Sequence, residues 1–304
     1  MGKLDAIGLG YCTYDILSIT PGLPHFDDVR MVHLADLVHD GGGQVGTALT
    51  ALARLGAQVG YIGILGDDRE GRFLRDLFVR DGVDLDRLRL SGAVGTNVCL
   101  LLVEQGTGRR AILCHRRVDA ESLRLDKADR AAIQAARVLH LDGQFLPAAI
   151  RAARWAQAAG VKVCFDGNHP RPGLDALLPL VDWLIVAEPF PAAYTGQADP
   201  DRAARDLLAL GPEVVVVTLG ERGCALWTRE EHLTASAFPV PVVDTTGAGD
   251  AFHGGFIYAM LQGWDLHRVV TFANAVAALN CRVLGGRRGL PCRAEVDALL
   301  ARQP

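Results

Sequence analysis

The sequence has 304 residues, half of them hydrophobic and 22% charged, with a net charge of −4. That length and balance fit a globular chain with a large buried core. No long basic run argues for nucleic acid, and no apolar stretch approaches the roughly 20 residues that span a bilayer, so both partner classes are excluded.

Residues 4–9 read as a first strand. Segments 15–20 and 29–38 follow as two strands with no helix between them. Segment 44–55 reads as a helix ending at Gly56, before a strand at 59–64. Segment 71–81 is a helix ending at Gly82. Segments 96–104 and 109–116 read as a hairpin joined across Gln105-Gly106-Thr107-Gly108. Strands are then expected at 138–141, 161–165, 183–186 and 214–219, with helices at 147–159 and 201–210 among them.

Strands rich in Val, Ile and Leu that alternate with helices predict a three-layer α/β/α body on a mostly parallel sheet. The strands at 15–38 and 96–116 do not fit that alternation. They predict a small sheet of about four strands standing over the body as a lid, the whole forming one domain over 1–304. An exposed sheet face needs cover from a ligand, a partner or its own twin, so a homodimer through the lid is expected.

The most informative stretch is 240–255, VPVVDTTGAGDAFHGG. A strand-like run ends at Asp244, a turn of small residues follows, and an apolar-periodic helix begins near Asp250. Glycines let backbone approach a ligand closely. Unpaired N–H groups and the positive dipole end make a helix N-terminus an anion site. A carboxylate there is placed to take a proton from an attacking hydroxyl, while the N–H groups stabilise charge on a moving phosphoryl group. The plainer alternative is a helix cap and a turn.

The run DTTGAGD resembles the C-terminal signature of the ribokinase-like (PfkB) carbohydrate kinases. The resemblance implies a ribokinase-like fold and transfer of the ATP γ-phosphate to a sugar-like hydroxyl. It makes Asp250 the base and Gly247, Ala248 and Gly249 the anion hole. It extends over nearly the whole chain. Gly10-Tyr11-Cys12-Thr13-Tyr14-Asp15 implies that Asp15 binds substrate hydroxyls. Gly41-Gly42-Gly43 before a helix is similar to the family's di-glycine motif GGxxxN, which implies substrate contacts from Gly42, Gly43 and Thr47, with Thr47 replacing the usual Asn. Together with the run 272–291, this motif resembles the sulfofructose kinase branch. Cys114 and Gln144 hold the places of the basic and amide groups expected there for a sulfonate, which argues against a sulfonated substrate; Arg30 would remain as one cationic contact.

Thr218-Leu219-Gly220-Glu221-Arg222-Gly223 resembles the family's ATP loop, and Asn274 falls in the segment lining adenine. The implied nucleotide contacts are Thr218, Gly220, Gly223, Thr246, Gly247, Gly249 and Asn274. The family's NxxE motif for Mg²⁺ is reduced here to Glu188, and Asp244 and Thr246 match positions that in ribokinases help bind a monovalent cation such as K⁺. Asn168 follows the end of one strand, and Asp142 and Gln144 the end of the preceding one, where open α/β sheets bind ligands, so Asn168 joins the substrate set.

Other features read as scaffold. The nine histidines show no zinc spacing, and His253 reads as packed. The pairs Arg109–Arg110, Arg116–Arg117 and Arg287–Arg288 read as solvated surface. The seven scattered cysteines, none in CxxC, read as reduced, and with no signal peptide in view a cytoplasmic protein is expected. Alternatives are a nucleoside kinase and a non-catalytic ligand-binding protein on the same scaffold.

Overall fold

The computed structural model describes residues 4–23, 34 and 36–302. Arg30, His25, His33 and most of the expected strand 29–38 lie outside the described residues. The strands are β1 (Ala6–Leu9), β2 (Thr13–Thr20), β3 (Val38–Gly42), β4 (Val59–Gly66), β5 (Leu88–Ser91), β6 (Val98–Glu104), β7 (Arg110–His115), β8 (Val138–Leu141), β9 (Lys162–Gly167), β10 (Trp183–Ala187), β11 (Val214–Thr218), β12 (Cys224–Trp227) and β13 (His232–Ala235). The helices are α1 (Gln44–Arg54), α2 (Arg69–Arg80), α3 (Lys127–Ala135), α4 (Leu146–Ala158), α5 (Pro189–Thr195), α6 (Pro200–Ala209), α7 (Ala248–Leu261), α8 (Leu266–Asn280) and α9 (Arg293–Leu300).

The large sheet has the order β13-β12-β11-β10-β9-β8-β1-β4-β5. It is parallel from β11 to β5, and β12 and β13 add an antiparallel edge. Alternation along each strand explains why the strands look uniformly apolar in sequence. Trp183, Ile185, Val214 and Val216 face a core built with α1, α2, α7, α8 and α9. Leu184, Val186, Val215 and Val217 face the opposite core with α3, α4, α5 and α6. On α4 the sheet-facing positions Ala148, Ala149, Ala152, Ala153 and Ala156 are all buried alanines, which lets that helix lie close to the strands.

The small sheet has the order β3-β2-β6-β7. Its inner residues Leu17, Cys99, Leu101 and Val103 pack on Leu284 and Val243 of the body. The hairpin between β6 and β7 turns where the sequence predicts, with Gly106 and Gly108 at φ 80° and 66°. The third strand differs from expectation. It carries Gly41 and Gly42 inside the ladder, opposite Tyr14 and Thr13, instead of in a turn.

The cysteine expectation needs correction. Cys99 and Cys114 are direct cross-strand partners on β6 and β7 with Cα atoms 4.1 Å apart, and they form a disulfide. Their 15-residue separation hides the pair, because antiparallel register alone brings them together. Cys12, Cys164, Cys224 and Cys281 are free and buried as expected, and Cys292 is exposed. The sequence reading also passed over β5, β12, β13, α3, α5 and α9. For α3 a signal was present: Asp126 and Asp129 form a reciprocal capping box at its start.

Candidate active site

Helix α7 starts where the apolar run 240–243 gives way to small residues. Gly247 caps it at φ 72°, and a Cβ there would come within 2.7 Å of the Gly286 carbonyl oxygen, so only glycine fits. Asp250 is the third residue of the helix. The N–H groups of Gly247, Gly249 and Asp250 have no acceptor among the described residues. The Ala248 N–H, also expected in the anion hole, is donated to the Thr245 carbonyl at 3.2 Å.

Asp250 opens into a cavity of about 340 Å³ between lid and body. Asp15, Gly43, Asn168, Thr246, Gly247 and Gly249 line the same cavity. The fold thus gathers residues from β2, the β9 exit and the α7 start around one space. Burial pushes the Asp250 carboxyl up to about 7; Arg110 and Arg287 oppose this and Asp142 adds to it. Behind it, burial raises Asp166 well above the ordinary carboxylate range, with the nearby Asp250 charge second. Asp166 lies 3.3 Å from His253 Nε2. Burial lowers His253 and holds it neutral, in the packed role expected of it. Asp142 accepts the N–H groups of Tyr11 and Gln144 at 2.7 and 2.9 Å, and burial raises it to about 6.

His253, His140 and Cys164 come together from α7, β8 and β9, which no linear spacing reveals. All three side chains are buried, and burial lowers the proton affinity of both imidazoles.

The glycine run is built around a buried arginine. Asp15 is 4% exposed, accepts the Thr13 hydroxyl at 2.7 Å, and is pushed by burial up to about 7. A Cβ on Gly42 would sit 2.0 Å from its carboxylate. Cβ atoms on Gly41 and Gly46 would strike the Arg287 guanidinium at 2.9 and 2.1 Å. Arg287, read from sequence as solvated, is 1% exposed. It donates through Nη2 to the Gly42 carbonyl at 2.6 Å and to Cys12 Sγ at 3.1 Å, and it lies over the Phe78 ring. Its opposing charges are Asp40 and Asp15. The run therefore clears space for a side chain that fixes Gly42 beside Asp15. Thr47 is fully buried one turn below Gly43 and is not part of the cavity lining; its N–H closes the first turn of α1 onto the Gly43 carbonyl. Gly42 likewise stands behind the lining, inside its strand.

The other implied contacts lie outside this cavity. Gly223, with φ 89°, abuts the Ala235 carbonyl, where a Cβ would be 2.0 Å away; Thr218 donates its hydroxyl to the Val186 carbonyl at 3.3 Å, and Gly220 has φ 60°. Asn274 is buried and donates its amide to the Ala235 and Ser236 carbonyls at 3.1 and 3.2 Å, which ties α8 to that edge. Glu188 is exposed and ion-paired with Arg222, outside the cavity that holds Asp250. The Asp244 carboxylate already accepts the Thr246 N–H, the Thr246 hydroxyl and the Gly285 N–H at 2.7–3.0 Å. The Thr246 and Gly286 carbonyls both accept the Asn280 amide, at 3.2 and 3.1 Å. Protein donors thus occupy part of the acceptor capacity of this turn.

The sequence reading passed over several lining residues: Tyr11, Thr13, Gln44, Asn97, Thr245 and the lid's Arg110. Arg110 and Arg116, read as surface, both line the cavity. The period-two alternation of β7 carried the signal, since Arg110, Ile112, Cys114 and Arg116 fall on one face.

Comparison with known proteins agrees with this geometry. Residues 4–293 match the model of the pfkB family carbohydrate kinases. The ATP-dependent ribose-1-phosphate kinase of Halopiger xanaduensis is 31% identical, over 97% of this chain and 96% of that protein. The ribokinase of Haemophilus influenzae is 27% identical, over 84% of this chain and 85% of that one. The structure of Arabidopsis thaliana ribokinase complexed with ribose and ATP superposes with a TM-score of 0.85 at 25% identity, covering 99% of both chains. Gathered lid, glycine-capped helix and family match lead to one assignment: the chain belongs to the pfkB family of carbohydrate kinases.

Proposed function

We propose that this carbohydrate kinase moves the γ-phosphoryl group of ATP onto a hydroxyl of a sugar or sugar-like molecule held between lid and body. The observation that carries the reading is the single cavity shared by Asp250, at the bare start of α7, and Asp15, under the lid. In this reading Asp15, Gly43 and Asn168 orient the acceptor. Asp250 takes the hydroxyl proton, and the N–H groups of Gly247 and Gly249 stabilise the charge that develops on phosphorus-bound oxygen. Its raised proton affinity matches the task, because a base near neutrality is strong enough to accept the proton and is still ionised in part at pH 7. ATP is assigned to the side of the anion hole that runs toward Thr218, Gly220 and Gly223. Magnesium arrives as MgATP, its charge matched by the triphosphate.

The test is an ADP-release screen of sugars, sugar acids, sugar phosphates and nucleosides; no ADP release above background with any of them, under conditions where the fold is intact, would overturn the reading. Tyr11 is the one aromatic in the lining among the described residues, which favours a polyhydroxy acceptor over a nucleoside base. Ribose 1-phosphate and ribose, named for the relatives, are the first acceptors to try.

With an acceptor in hand, Asp15→Asn should raise its KM on the order of 10- to 100-fold, as one charge-assisted hydrogen bond is worth about 1.5–3 kcal/mol, while kcat changes less. A kcat collapse at constant KM would assign Asp15 to the chemistry instead. Exchanging K⁺ for an organic cation should leave the initial rate unchanged, because the Asn280 amide already links the 244–246 turn to Gly286. A rate that vanishes without K⁺ would show that a cation displaces the amide.

No described helix is long and apolar enough to cross a membrane, and the proposed site of action is the cytoplasm, where ATP is at hand. The lid's outer face carries the exposed cross-strand pair Leu100 and Leu113, and a second copy of the chain is the proposed cover.

A further inference from the structure

We propose that Arg110, at the start of lid strand β7, is a catalytic residue that binds the transferring γ-phosphoryl group from the side opposite the anion hole. The inference rests on the kinase reading. Arg110 Nη1 lies 2.5 Å from Thr245 Oγ1, two residues before Gly247. The lid tip is seated there: Thr245 Oγ1 is also 3.4 Å from the Gly108 carbonyl, and a Cβ on Gly108 would lie 3.3 Å from Val242. Arg110, Thr245, Gly247, Gly249 and Asp250 share one cavity.

The neighbouring Arg109 points out of the lining and is spent on Glu104 at 2.8 Å. Arg110 has no carboxylate partner among the described residues, although it is a charge close enough to Asp250 to favour that carboxylate's ionised form. The Thr245 contact uses one of five guanidinium donors. The remaining fork suits two oxygens of one phosphoryl group.

In the step, the acceptor oxygen forms a bond to the γ-phosphorus while the bond to the β–γ bridging oxygen breaks. The bridging electron pair leaves on ADP, and the hydroxyl proton passes to Asp250. Charge builds on the three equatorial phosphoryl oxygens. Backbone N–H groups meet that charge from α7, and Arg110 meets it from above without gaining or losing a proton. Leu101, Ile112 and Cys114 of the same sheet line the acceptor's space. One sheet thus both covers the acceptor and carries the cation, which disfavours transfer to water.

The test is calorimetric binding of MgADP and of the γ-phosphate-bearing analogue MgAMP-PNP to wild type, Arg110→Gln and Arg110→Lys, with matched melting temperatures as the folding control. Arg110→Gln should weaken AMP-PNP about tenfold or more and leave ADP unchanged, and Arg110→Lys should recover part of the loss. Unchanged AMP-PNP affinity overturns the proposal, as does an equal loss for both nucleotides. Wild type that binds neither nucleotide refutes the kinase reading itself, and the inference falls with it.

Discussion

Asp250→Asn should lower kcat by about 10²–10⁴-fold, the range that a positioned general base supplies, with nucleotide affinity largely retained. The amide keeps shape and capping geometry and loses only the ability to accept the proton. The wild-type profile of kcat/KM should rise with pH through about 7, since burial holds the Asp250 carboxyl protonated below that. The same shift has a stability signature of defined sign. A carboxyl raised to about 7 from an ordinary value of 3.8 keeps its proton in the folded state while the unfolded chain has released it. Its contribution to stability therefore falls as pH rises from about 4 to about 7 and is flat beyond. Asp250→Asn does not titrate, so its melting temperature should gain on wild type across that window. A constant difference between the two proteins from pH 4.5 to 8, or near-normal turnover in the variant, would sink the assignment of Asp250 as the strained base.

Arg287→Ala should cost about 3–5 kcal/mol of folding stability, read by denaturant titration. Removing the guanidinium leaves the buried Asp15 and Asp40 without their nearby cation, frees the Gly42 carbonyl and opens a hole against Phe78. The glycines supply the reciprocal check. Gly46→Ala should be strongly destabilising in wild type, where its methyl would meet Nη2 at 2.1 Å, and nearly neutral in the Arg287→Ala background. A double-mutant cycle closing additively would show that glycine and arginine are not one unit.

The DTTGAGD turn and the parallel body were legible because each is written locally: one in seven contiguous residues, the other in strand composition and spacing. What escaped is non-local. Arg287 looked like half of a surface pair, and only the meeting of the 285–288 turn with β3 and α1 buries it. Thr47 stood at a motif position but points into helix packing, and Asn274 and Asp244 are spent on backbone donors and acceptors that a one-dimensional reading cannot see. The Cys99–Cys114 bond was hidden in the same way, by strand register. Arg110 is legible in the sequence, since alternation along β7 places it on the face of Cys114.

The order of the large sheet also sets a schedule for synthesis. β1 stands between β4 and β8, so its first neighbour is complete at Gly66 and its second only at Leu141. At 5–20 residues per second, those 75 intervening residues take about 4–15 s to emerge from a ribosome. Throughout that interval a strand that is interior in the finished protein is an open edge, apolar on both faces. Nascent chains halted between 70 and 140 residues should therefore be the ones that holdase chaperones retain, and release should coincide with the arrival of β8.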